Sequence, residues 1–503
     1  MSQYATPPHE AFTSSRTVFA ALIEELTGPD HGHDTHAELE HHLTQRSREL
    51  TRQLLQDHLD LRAAREQRHT PGITGADRIP RTRVERGHTR TLTTVFGQVS
   101  VPRLAYRAPG APNLHPADAQ LNLPVTRHSH GLRRLAAVEA ARGSFDDAVT
   151  AIGRATGVRL GKRQVQQMST AAAVDIDTFY AGRHRPAGDH ENVLVLSYDG
   201  KGVVMRPDAL RPATAHKAQT TSNKLATRVS PGEKRNRKRM AEVGAVYDAV
   251  PAPRTPADIL PVGAQHRAAA RPGPRAIGTW LTASLTQDTA HVVATVFDQA
   301  HRRDPDHHRR WVVLVDGNTH QIDRTHTEAA TRGVEVAIVI DFIHVLEYLW
   351  TAAWSFFTQG DPTAETWVRH HALRVLAGEA ITVAELIRRT ATLAGLDTAR
   401  RKGVDTCAGY LVNKAPYLDY PTALVAGWPI ATGVIEGACR YLVKDRMDIT
   451  GARWGLTGAE AVLTLRALHA NGDFDEYWRY HLTQEQGRVH QSRYLNSIVP
   501  PAA

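Results

Sequence analysis

Two aspartates follow apolar segments of the chain, and each is followed directly by glycine. Asp199 ends the segment NVLVLSYD, and Asp316 ends RRWVVLVD. Apolar runs of this length predict buried strands, so each carboxylate is expected to project from a strand end at one edge of a sheet. Carboxylates in that position suit Mg²⁺ or Mn²⁺ and the phosphate oxygens of a substrate. The pattern favours metal-dependent phosphodiester chemistry, although an aspartate before glycine is also a frequent turn former.

A third carboxylate must come from outside these strands, and Glu436 in PIATGVIEGACRYLVKDRM is the candidate. The segment predicts a helix that begins at Thr432 or Gly433. Arg440 and Lys444 follow Glu436 at four and eight residues, so one helix face carries a carboxylate and then two cations. Such a face could hold a metal ion beside a phosphate, but a plain surface Glu/Arg pair has the same spacing.

The composition indicates several domains and a polyanionic partner. The chain has 503 residues and a net charge of +9, and its two cysteines, Cys407 and Cys439, exclude a disulfide framework and a cysteine-rich zinc module. No uncharged apolar run approaches the ~20 residues that cross a bilayer, and the N-terminus lacks the pattern of a signal peptide. We therefore expect a cytoplasmic location.

Nearly all the excess charge lies in residues 211–240, which have a net charge of +8. This stretch is rich in small polar residues and poor in apolar ones, which predicts an extended loop that lies along phosphates. A solvated basic loop without a partner has the same composition. The predicted phosphate contacts are Lys234, Arg235, Arg237, Lys238 and Arg239.

Residues 1–188 predict three successive regions. Residues 1–77 have helical spacing, with a histidine-rich connection that we interpret as a solvated linker. Residues 78–125 predict a small β unit with a hairpin turn at Gly97-Gln98. The arginines of that unit could form a DNA-facing ribbon or an ordinary solvated sheet face.

Residues 126–188 predict a helix-turn-helix. Ser144 can cap the first helix, Gly157 can end it, and a second helix begins near Gly161. The second helix would bury Val165 and Met168 and expose Lys162, Arg163, Gln166 and Gln167. Two packed helices in a core that never meets DNA have the same pattern. The residues expected to contact DNA here are Lys162 and Arg163.

The remainder predicts an α/β sheet interrupted by helices. In residues 189–357, the segment NVLVLSYDGKGVVMR predicts a strand with a hairpin partner, AEVGAVYDAV a third strand, and strands then alternate with helices. Residues 358–427 predict a helical insertion. Residues 428–503 predict the final helices of the core and a C-terminal tail.

Several strings of the chain together resemble the transposases of the ISKra group of bacterial insertion sequences. They are LSYDGKGVVMRP, SPGEKRNRKRMAEVGAVYD, VLVDGN, IDFIHVLEYLW and PIATGVIEGACRYLVKDRMDITGARW, in that order. The upstream strings TVFGQVSVPRLAYR and LNLP and the SFDDA helix also resemble that group. The resemblance covers most of residues 90–480.

The resemblance implies an RNase H-like core with an Asp-Asp-Glu triad and a helical insertion before the glutamate, as in Mutator-like and hAT-like transposases. The three positions are Asp199, Asp316 and Glu436, separated by 117 and 120 residues. DFIH is similar to the Asp-x-x-His motif of those relatives, which makes Asp341 and His344 accessory candidates. Asp341 could assist the metal site or only organise the strand end, and His344 could simply pack.

The expected activity is cleavage of transposon ends and strand transfer. Two Mg²⁺ or Mn²⁺ ions would bridge the carboxylates and the scissile phosphate, activating water first and the freed 3′-hydroxyl second. Because two element ends are cut, the working complex on DNA is expected to be a homodimer or a higher oligomer. A structure-specific nuclease of the same fold, or a catalytically silent DNA-binding protein derived from a transposase, are the alternatives.

Overall fold

The computed structural model describes residues 8–183, 188–220, 237–449 and 451–501. The chain forms two compact units. Unit one comprises Met1–Ala181 and Asp473–Ala503, and unit two comprises Gly182–Gly472. The sequence boundaries placed residues 473–503 with the core segment 428–503, whereas in the structure they belong to unit one. A mixed α/β fold is confirmed.

Unit one is mainly helical, as its sequence predicts, and also contains a three-stranded sheet and a two-stranded ladder. Its larger helices are α1 (Thr13–Thr27), α2 (His36–Arg65), α3 (His130–Arg142), α4 (Phe145–Thr156) and α5 (Lys162–Ala172). Shorter helices span Pro8–Ala11, Pro116–Gln120 and Ile176–Gly182, and the C-terminal helix spans Phe474–Val489. A two-residue ladder joins Ile73–Thr74 to Pro80–Arg81.

The sheet of unit one is an antiparallel ribbon of β1 (Arg83–Thr94), β2 (Gly97–Ala108) and β3 (Ala111–Leu114). The hairpin turn consists of Val95 and Phe96, so the prediction of a turn at Gly97-Gln98 is wrong by two residues. Thr94 explains the shift, because its hydroxyl accepts from the Phe96 amide at 3.1 Å and donates to the Gly97 carbonyl at 2.8 Å. This local hydrogen bonding closes the turn before the glycine.

Helices α3, α4 and α5 share one hydrophobic core and confirm the predicted helix pair with its short connection. The Ser144 hydroxyl accepts from the Asp147 amide, and the Asp147 carboxylate accepts from the Ser144 amide, which satisfies two donors at the start of α4. Gly157 ends α4 at φ +72°, a conformation that glycine adopts without strain. As predicted, Val165 and Met168 of α5 are buried in the shared core.

Unit two is built on a five-stranded mixed sheet. Its strands are β4 (Val193–Val204), β5 (Lys238–Ala249), β6 (Ala276–Ser284), β7 (Trp311–Val315) and β8 (Val336–Ile340). The strand order is β8-β7-β4-β5-β6, and β8, β7 and β4 are parallel. Strand β5 pairs antiparallel with both β4 and β6, so it runs against the other four strands of this sheet.

Three sequence predictions for this sheet are wrong in detail. The segment predicted as a hairpin at Asp199-Gly200 is one continuous strand, because Gly200 to Val204 pair with Glu242 to Lys238 of β5. Strand β6 follows the third predicted strand, in a stretch for which no strand was predicted. At the two ends of the predicted basic loop, Pro212–Thr220 form a helix and Lys238 begins a strand, whereas residues 221–236 lie outside the described residues. These strands form by pairing with distant segments of the chain, and a local sequence pattern contains no information on that pairing.

Helices cover the sheet and form the insertion predicted for residues 358–427. The larger helices are α6 (Pro212–Thr220), α7 (Thr289–Arg303), α8 (Thr319–Arg332), α9 (Phe342–Ala353), α10 (Pro362–Leu376), α11 (Ala380–Leu393), α12 (Thr398–Lys414), α13 (Tyr420–Val425), α14 (Gly433–Ala438) and α15 (Leu456–Ala470). Shorter helices span Pro256–Ile259, Gly263–Ala269 and Asp445–Met447. The insertion consists of α10 to α13. No helix within the described ranges is long and apolar enough to cross a membrane.

The predicted final helix after Thr432 is interrupted. Helix α14 ends at Ala438, a π-helical turn spans Cys439–Lys444, and a short α-helical turn follows. A π-turn inserts extra backbone into a helix and changes the angular relation between residues on either side. The simple four-residue spacing from Glu436 to Arg440 and Lys444 therefore does not describe this segment.

Candidate active site

Asp199 and Asp316 lie side by side on neighbouring parallel strands. Ser197 of β4 is in register with Leu314 of β7. Two residues further along each strand are Asp199, which is within β4, and Asp316, which directly follows β7. Neighbouring strands are about 4.8 Å apart, and residues in register on parallel strands share a face of the sheet. The register thus brings both half-buried carboxylates to one side of one edge.

Asp341 continues this row across the next strand. Ile340 of β8 is in register with Val315 of β7, so Asp341 follows in register with Asp316. The Asp341 amide donates to the Val315 carbonyl at 2.8 Å. Asp341 is completely buried, and its carboxylate caps α9 by accepting from the Ile343 amide at 3.0 Å. Three aspartates therefore lie at the same level on three adjacent parallel strands, Asp199 within β4 and the other two directly after β7 and β8.

Glu436 reaches this row through a threonine that the sequence interpretation used only as a helix start. The Thr432 hydroxyl oxygen lies 2.7 Å from Asp341 Oδ2 and 3.0 Å from Glu436 Oε1. Thr432 is 5% exposed, whereas Glu436 is exposed on the first turn of α14. We call Asp199, Asp316, Asp341 and Glu436 the carboxylate edge.

The electrostatics of Asp341 reflect its burial and the nearby charge of Glu436. Burial raises the pKa of the Asp341 carboxyl, and the charge of Glu436 adds to the rise. The hydrogen bonds from Thr432 and from the Ile343 amide act in the opposite direction. A raised carboxyl pKa beside a second carboxylate indicates a place where negative charge is concentrated.

Cys439, one of the two cysteines, is buried and lies at the carboxylate edge. Its Sγ is 3.4 Å from Asp199 Oδ2. Burial raises the pKa of this thiol, and the charge of Asp199 adds to the rise, so the sulfur keeps its proton. Cys439 is the first residue of the π-helical turn, which is the element that faces Asp199.

Tyr410 of the helical insertion contacts the loop that carries Asp316, a contact absent from the sequence interpretation. Its hydroxyl donates to the Asp316 carbonyl at 3.2 Å, and its ring stacks on Tyr348 with centroids 3.9 Å apart. A Cβ on Gly317, which has φ +92°, would lie 2.7 Å from the Tyr410 hydroxyl. The insertion thus packs directly on the turn after β7, where only glycine fits.

Glu242 is a further carboxylate near Asp199 that the sequence interpretation missed. It pairs with Gly200 on the neighbouring strand β5, and burial raises the pKa of its carboxyl. Residues in register with Gly200 lie on the opposite side of the sheet from Asp199. Glu242 is therefore not grouped with the carboxylate edge.

The donor atoms of the edge are hard oxygens, which match Mg²⁺ or Mn²⁺ in chemical type. Within the described ranges, no three His, Cys, Asp or Glu side chains already surround one point closely enough to hold a metal ion. Magnesium commonly binds through one or two carboxylates, with waters and substrate phosphates completing its shell. Asp199 and Asp316, which the register places at neighbouring positions, are the carboxylates that could supply this smaller set.

The second accessory candidate, His344, lies on α9 with its side chain 37% exposed. Its Nδ1 is 3.6 Å from Oε2 of Glu347, which is 66% exposed. The sequence motif joined His344 to Asp341, but the described contacts of the two residues differ. Asp341 contacts the strand ends and Thr432, whereas His344 contacts the next turn of its own helix.

The predicted cationic residues beside Glu436 are at the surface. Arg440 and Lys444 are both exposed, and both belong to the π-helical turn. They lie on the element whose first residue, Cys439, contacts Asp199. Their positions leave them accessible to a phosphate.

The predicted phosphate contacts of the basic stretch divide into three groups. Lys234 and Arg235 lie outside the described residues. Arg237 precedes β5, and Lys238 is the exposed first residue of that strand. Arg239 is bound within the fold, because its guanidinium donates to the carbonyls of Leu285 at 2.6 Å and Ala209 at 3.3 Å. Arg239 therefore stabilises the fold through these hydrogen bonds, whereas the sequence predicted that it contacts phosphates.

Lys162 and Arg163 are exposed at the start of α5, in agreement with the predicted polar face. Lys162 Nζ lies 2.7 Å from Asp146 Oδ1, and both side chains are mostly exposed. An exposed ion pair of this kind contributes at most about 1 kcal/mol, so a phosphate can compete with Asp146.

Several arginines in or next to the β1–β2 ribbon bind carboxylates of the protein itself. Arg103 pairs with Asp118 at 2.7 Å, and Arg107 pairs with Glu85 at 2.7 Å. Arg81 is buried and bonds to both carboxylate oxygens of Asp77. These contacts favour the ordinary sheet over the DNA-facing ribbon.

A scan against protein-family models finds no match to this chain, and a search of curated proteins finds none either. The carboxylate edge and the cationic surfaces are therefore the features of this chain that bear on its function. Fold alone does not specify function, so each role must be argued from the site.

Proposed function

We propose that this chain is a DNA transposase of an insertion sequence, which cuts transposon ends and joins the freed 3′-hydroxyl to target DNA. The observation that carries the proposal is the register that aligns Asp199, Asp316 and Asp341 at one level of three parallel strands. Glu436, from a helix more than 90 residues further along the chain, meets the same row through Thr432. The resemblance to ISKra transposases implies that Asp199, Asp316 and Glu436 form the triad.

The sheet supports the fold that the proposal requires. The five-stranded mixed sheet of unit two, in which β5 runs antiparallel to the other strands, is compatible with the RNase H-like core that the resemblance implies. The insertion α10 to α13 lies between β8 and α14, as the resemblance implies for a helical block before the glutamate. These features agree with the proposal without specifying the reaction.

Each residue of the edge has a distinct role in the proposed reaction. Asp199, Asp316 and Glu436 would hold Mg²⁺ or Mn²⁺, which would activate the attacking oxygen and stabilise charge on the leaving oxygen. Asp341, buried and bound to backbone amides, keeps the strand ends in register. Arg440 and Lys444 attract the DNA phosphates. No protein nucleophile is required, because water and the DNA 3′-hydroxyl attack in turn.

A joining assay with the full chain tests the proposal. The probes are end-labelled duplexes with the DNA that flanks the gene on each side, a supercoiled plasmid as target, and MgCl₂ or MnCl₂. Nicks at the element ends followed by covalent joining to the plasmid support the transposase. Cleavage without joining would instead indicate the nuclease, and binding without cleavage the silent DNA-binding protein. A second sample with EDTA should show neither cleavage nor joining.

The same assay addresses the oligomeric state that the reaction implies. A transposase must bring two ends together, so we expect a complex of two duplexes with at least two protomers on native gels or by mass photometry. A single protomer that cleaves and joins one duplex would contradict that expectation.

A further inference from the structure

Thr432 lies between Asp341 and Glu436, two residues of the carboxylate edge that are far apart in the chain. It precedes α14, is 5% exposed, and contacts Asp341 Oδ2 at 2.7 Å and Glu436 Oε1 at 3.0 Å. We propose that Thr432 is a positioning residue, which sets the carboxylate of Glu436 relative to the row of aspartates. The inference rests on the proposed function, because it assigns Glu436 a metal to bind.

The hydroxyl of Thr432 cannot fully satisfy both carboxylates at once. A threonine hydroxyl has a single proton, whereas ionised carboxylates only accept hydrogen bonds. Asp341 is completely buried, so losing its hydrogen bond costs more there than at the exposed Glu436. Thr432 therefore shares its proton between the two, more strongly with Asp341 at 2.7 Å and more weakly with Glu436 at 3.0 Å, and the other lone pairs of Glu436 remain available to a cation.

Asp341 and the segment before α14 form a fixed base for this contact. The Phe342 amide donates to the Ile430 carbonyl at 2.9 Å, which ties the start of α9 to the chain just before Thr432. The buried Tyr420 hydroxyl donates to the Ile340 carbonyl at 3.0 Å, at the end of β8. Because both sides of the contact are anchored, a change at Thr432 must move the exposed Glu436 side chain rather than the base.

A positioning role predicts a specific pattern of losses. Thr432→Val keeps the shape of the side chain but removes its hydroxyl, so Glu436 loses its fixed direction toward the row. Partners that orient a metal ligand typically change metal affinity or activity by about 10–100-fold when they are removed. Thr432→Ser restores the hydroxyl and should recover most of that loss.

Mn²⁺ binding measured by electron paramagnetic resonance on the full, DNA-free chain gives a readout besides activity. We expect Thr432→Val to weaken Mn²⁺ binding by about 10-fold or more and Thr432→Ser to stay within about 3-fold of the unchanged chain. Thr464→Val is the matched control, since the Thr464 hydroxyl bonds only to carbonyls of its own helix among the described contacts. It should leave both Mn²⁺ binding and cleavage unchanged.

The outcomes separate the inference from the proposed function. Tight Mn²⁺ binding and normal DNA cleavage by Thr432→Val would overturn the positioning role and leave the transposase proposal standing. An unchanged chain that neither binds Mn²⁺ nor cuts the flanking-DNA probes would overturn the transposase proposal and this inference with it. If Thr432→Val does not fold by circular dichroism, Thr432→Ala is measured in its place, and the same limits apply.

Discussion

The carboxylate edge of unit two and the α4–α5 helix pair of unit one bring polar residues together in different ways. At the edge, Asp199, Asp316 and Asp341 occupy neighbouring positions because three strands align in parallel register, and the Thr432 hydroxyl links Glu436 to Asp341. In the helix pair, Lys162 and Arg163 project from consecutive positions of one helix. The first arrangement depends on the whole fold, whereas the second is local.

The two arrangements differ in how far the effect of a substitution should extend. A change at the edge alters ligands that share one site, so its effects on chemistry should be large and should not add up independently. A change on the surface of α5 removes one contact and should leave the fold and the chemistry alone. Substitutions at the carboxylate edge should therefore have the largest effects, and those on the surface of α5 much smaller ones.

Neutralising a ligand of the edge should have the largest effect. Glu436→Gln keeps the shape of the side chain but removes the charge that a divalent ion requires. We expect cleavage of the flanking-DNA duplexes to fall by about 10³-fold or more while DNA binding is retained. Asp199→Asn and Asp316→Asn should behave alike, and combining the substitutions should add little further loss.

Glu347→Gln is the matched control for that experiment. Glu347 is a glutamate of the same unit, exposed on α9 and paired with His344. It is also the residue that would complete a more compact triad if Glu436 were not the third ligand. Normal cleavage by Glu436→Gln together with loss by Glu347→Gln would move the third ligand to α9.

The next largest effect is expected on the stability of unit one, through the C-terminal helix. Glu485 is buried against Arg133, with an oxygen–nitrogen distance of 2.5 Å. Burial alone would raise the pKa of Glu485, but hydrogen bonds from His481 and Arg133 outweigh it and lower the pKa from 4.5 to about 2. The ionised carboxylate therefore stabilises the fold above about pH 4.5, and this contribution is lost as the pH falls toward about 2.

Glu485→Gln tests this contribution by chemical denaturation at several pH values. Removing one charge of a buried pair leaves Arg133 without its partner, so we expect a loss of about 3 kcal/mol at pH 7. The decline in stability between pH 5 and pH 3 should also become shallower. Asp475→Asn removes an exposed pair with Arg134 from the same helix and should cost less than about 1 kcal/mol. Equal losses from the two variants would contradict the role assigned to the buried pair.

The sequence predicted local features well because their causes are local. Ser144 and Gly157 mark the ends of α4 through a cap and a left-handed residue, and the apolar spacing of α5 identifies its buried face. The strand ends at Asp316 and Asp341 were also predictable from short apolar runs. The triad itself came from a resemblance to a family and not from spacing.

The sequence failed where a distant partner decides the structure. Nothing near Gly200 shows that β4 continues, because its pairing strand β5 begins at Lys238. The contact of Cys439 with Asp199 and that of Tyr410 with the Asp316 carbonyl join residues about 240 and 94 positions apart. Thr432 carried the signal of a helix start, and only the tertiary structure shows the two carboxylates beside its hydroxyl.

The surface of α5 should affect the choice of DNA without affecting the fold. Replacing both Lys162 and Arg163 with Ala should reduce the preference for flanking-DNA duplexes over scrambled duplexes by about 10-fold. Footprinting and competition assays with the full chain are required, because the C-terminal helix belongs to unit one. Arg154→Ala, an exposed change on α4, is the control. An unchanged preference in the double variant would refute the helix-turn-helix assignment.

The smallest expected effects distinguish two neighbouring cations at the start of β5. Lys238 is exposed, whereas Arg239 donates to the carbonyls of Leu285 and Ala209. Lys238→Ala should weaken binding to all duplexes alike and reduce the slope of log affinity against log salt by about 0.9, without changing stability. Arg239→Ala should leave that slope unchanged and lower the free energy of unfolding by about 1–2 kcal/mol, since two hydrogen bonds are lost. Salt titrations by fluorescence anisotropy and urea unfolding measure the two quantities. A reduced salt slope with an unchanged free energy of unfolding for Arg239→Ala would show that Arg239 contacts phosphates, as the sequence predicted. The phosphate-binding stretch would then include the first two residues of β5.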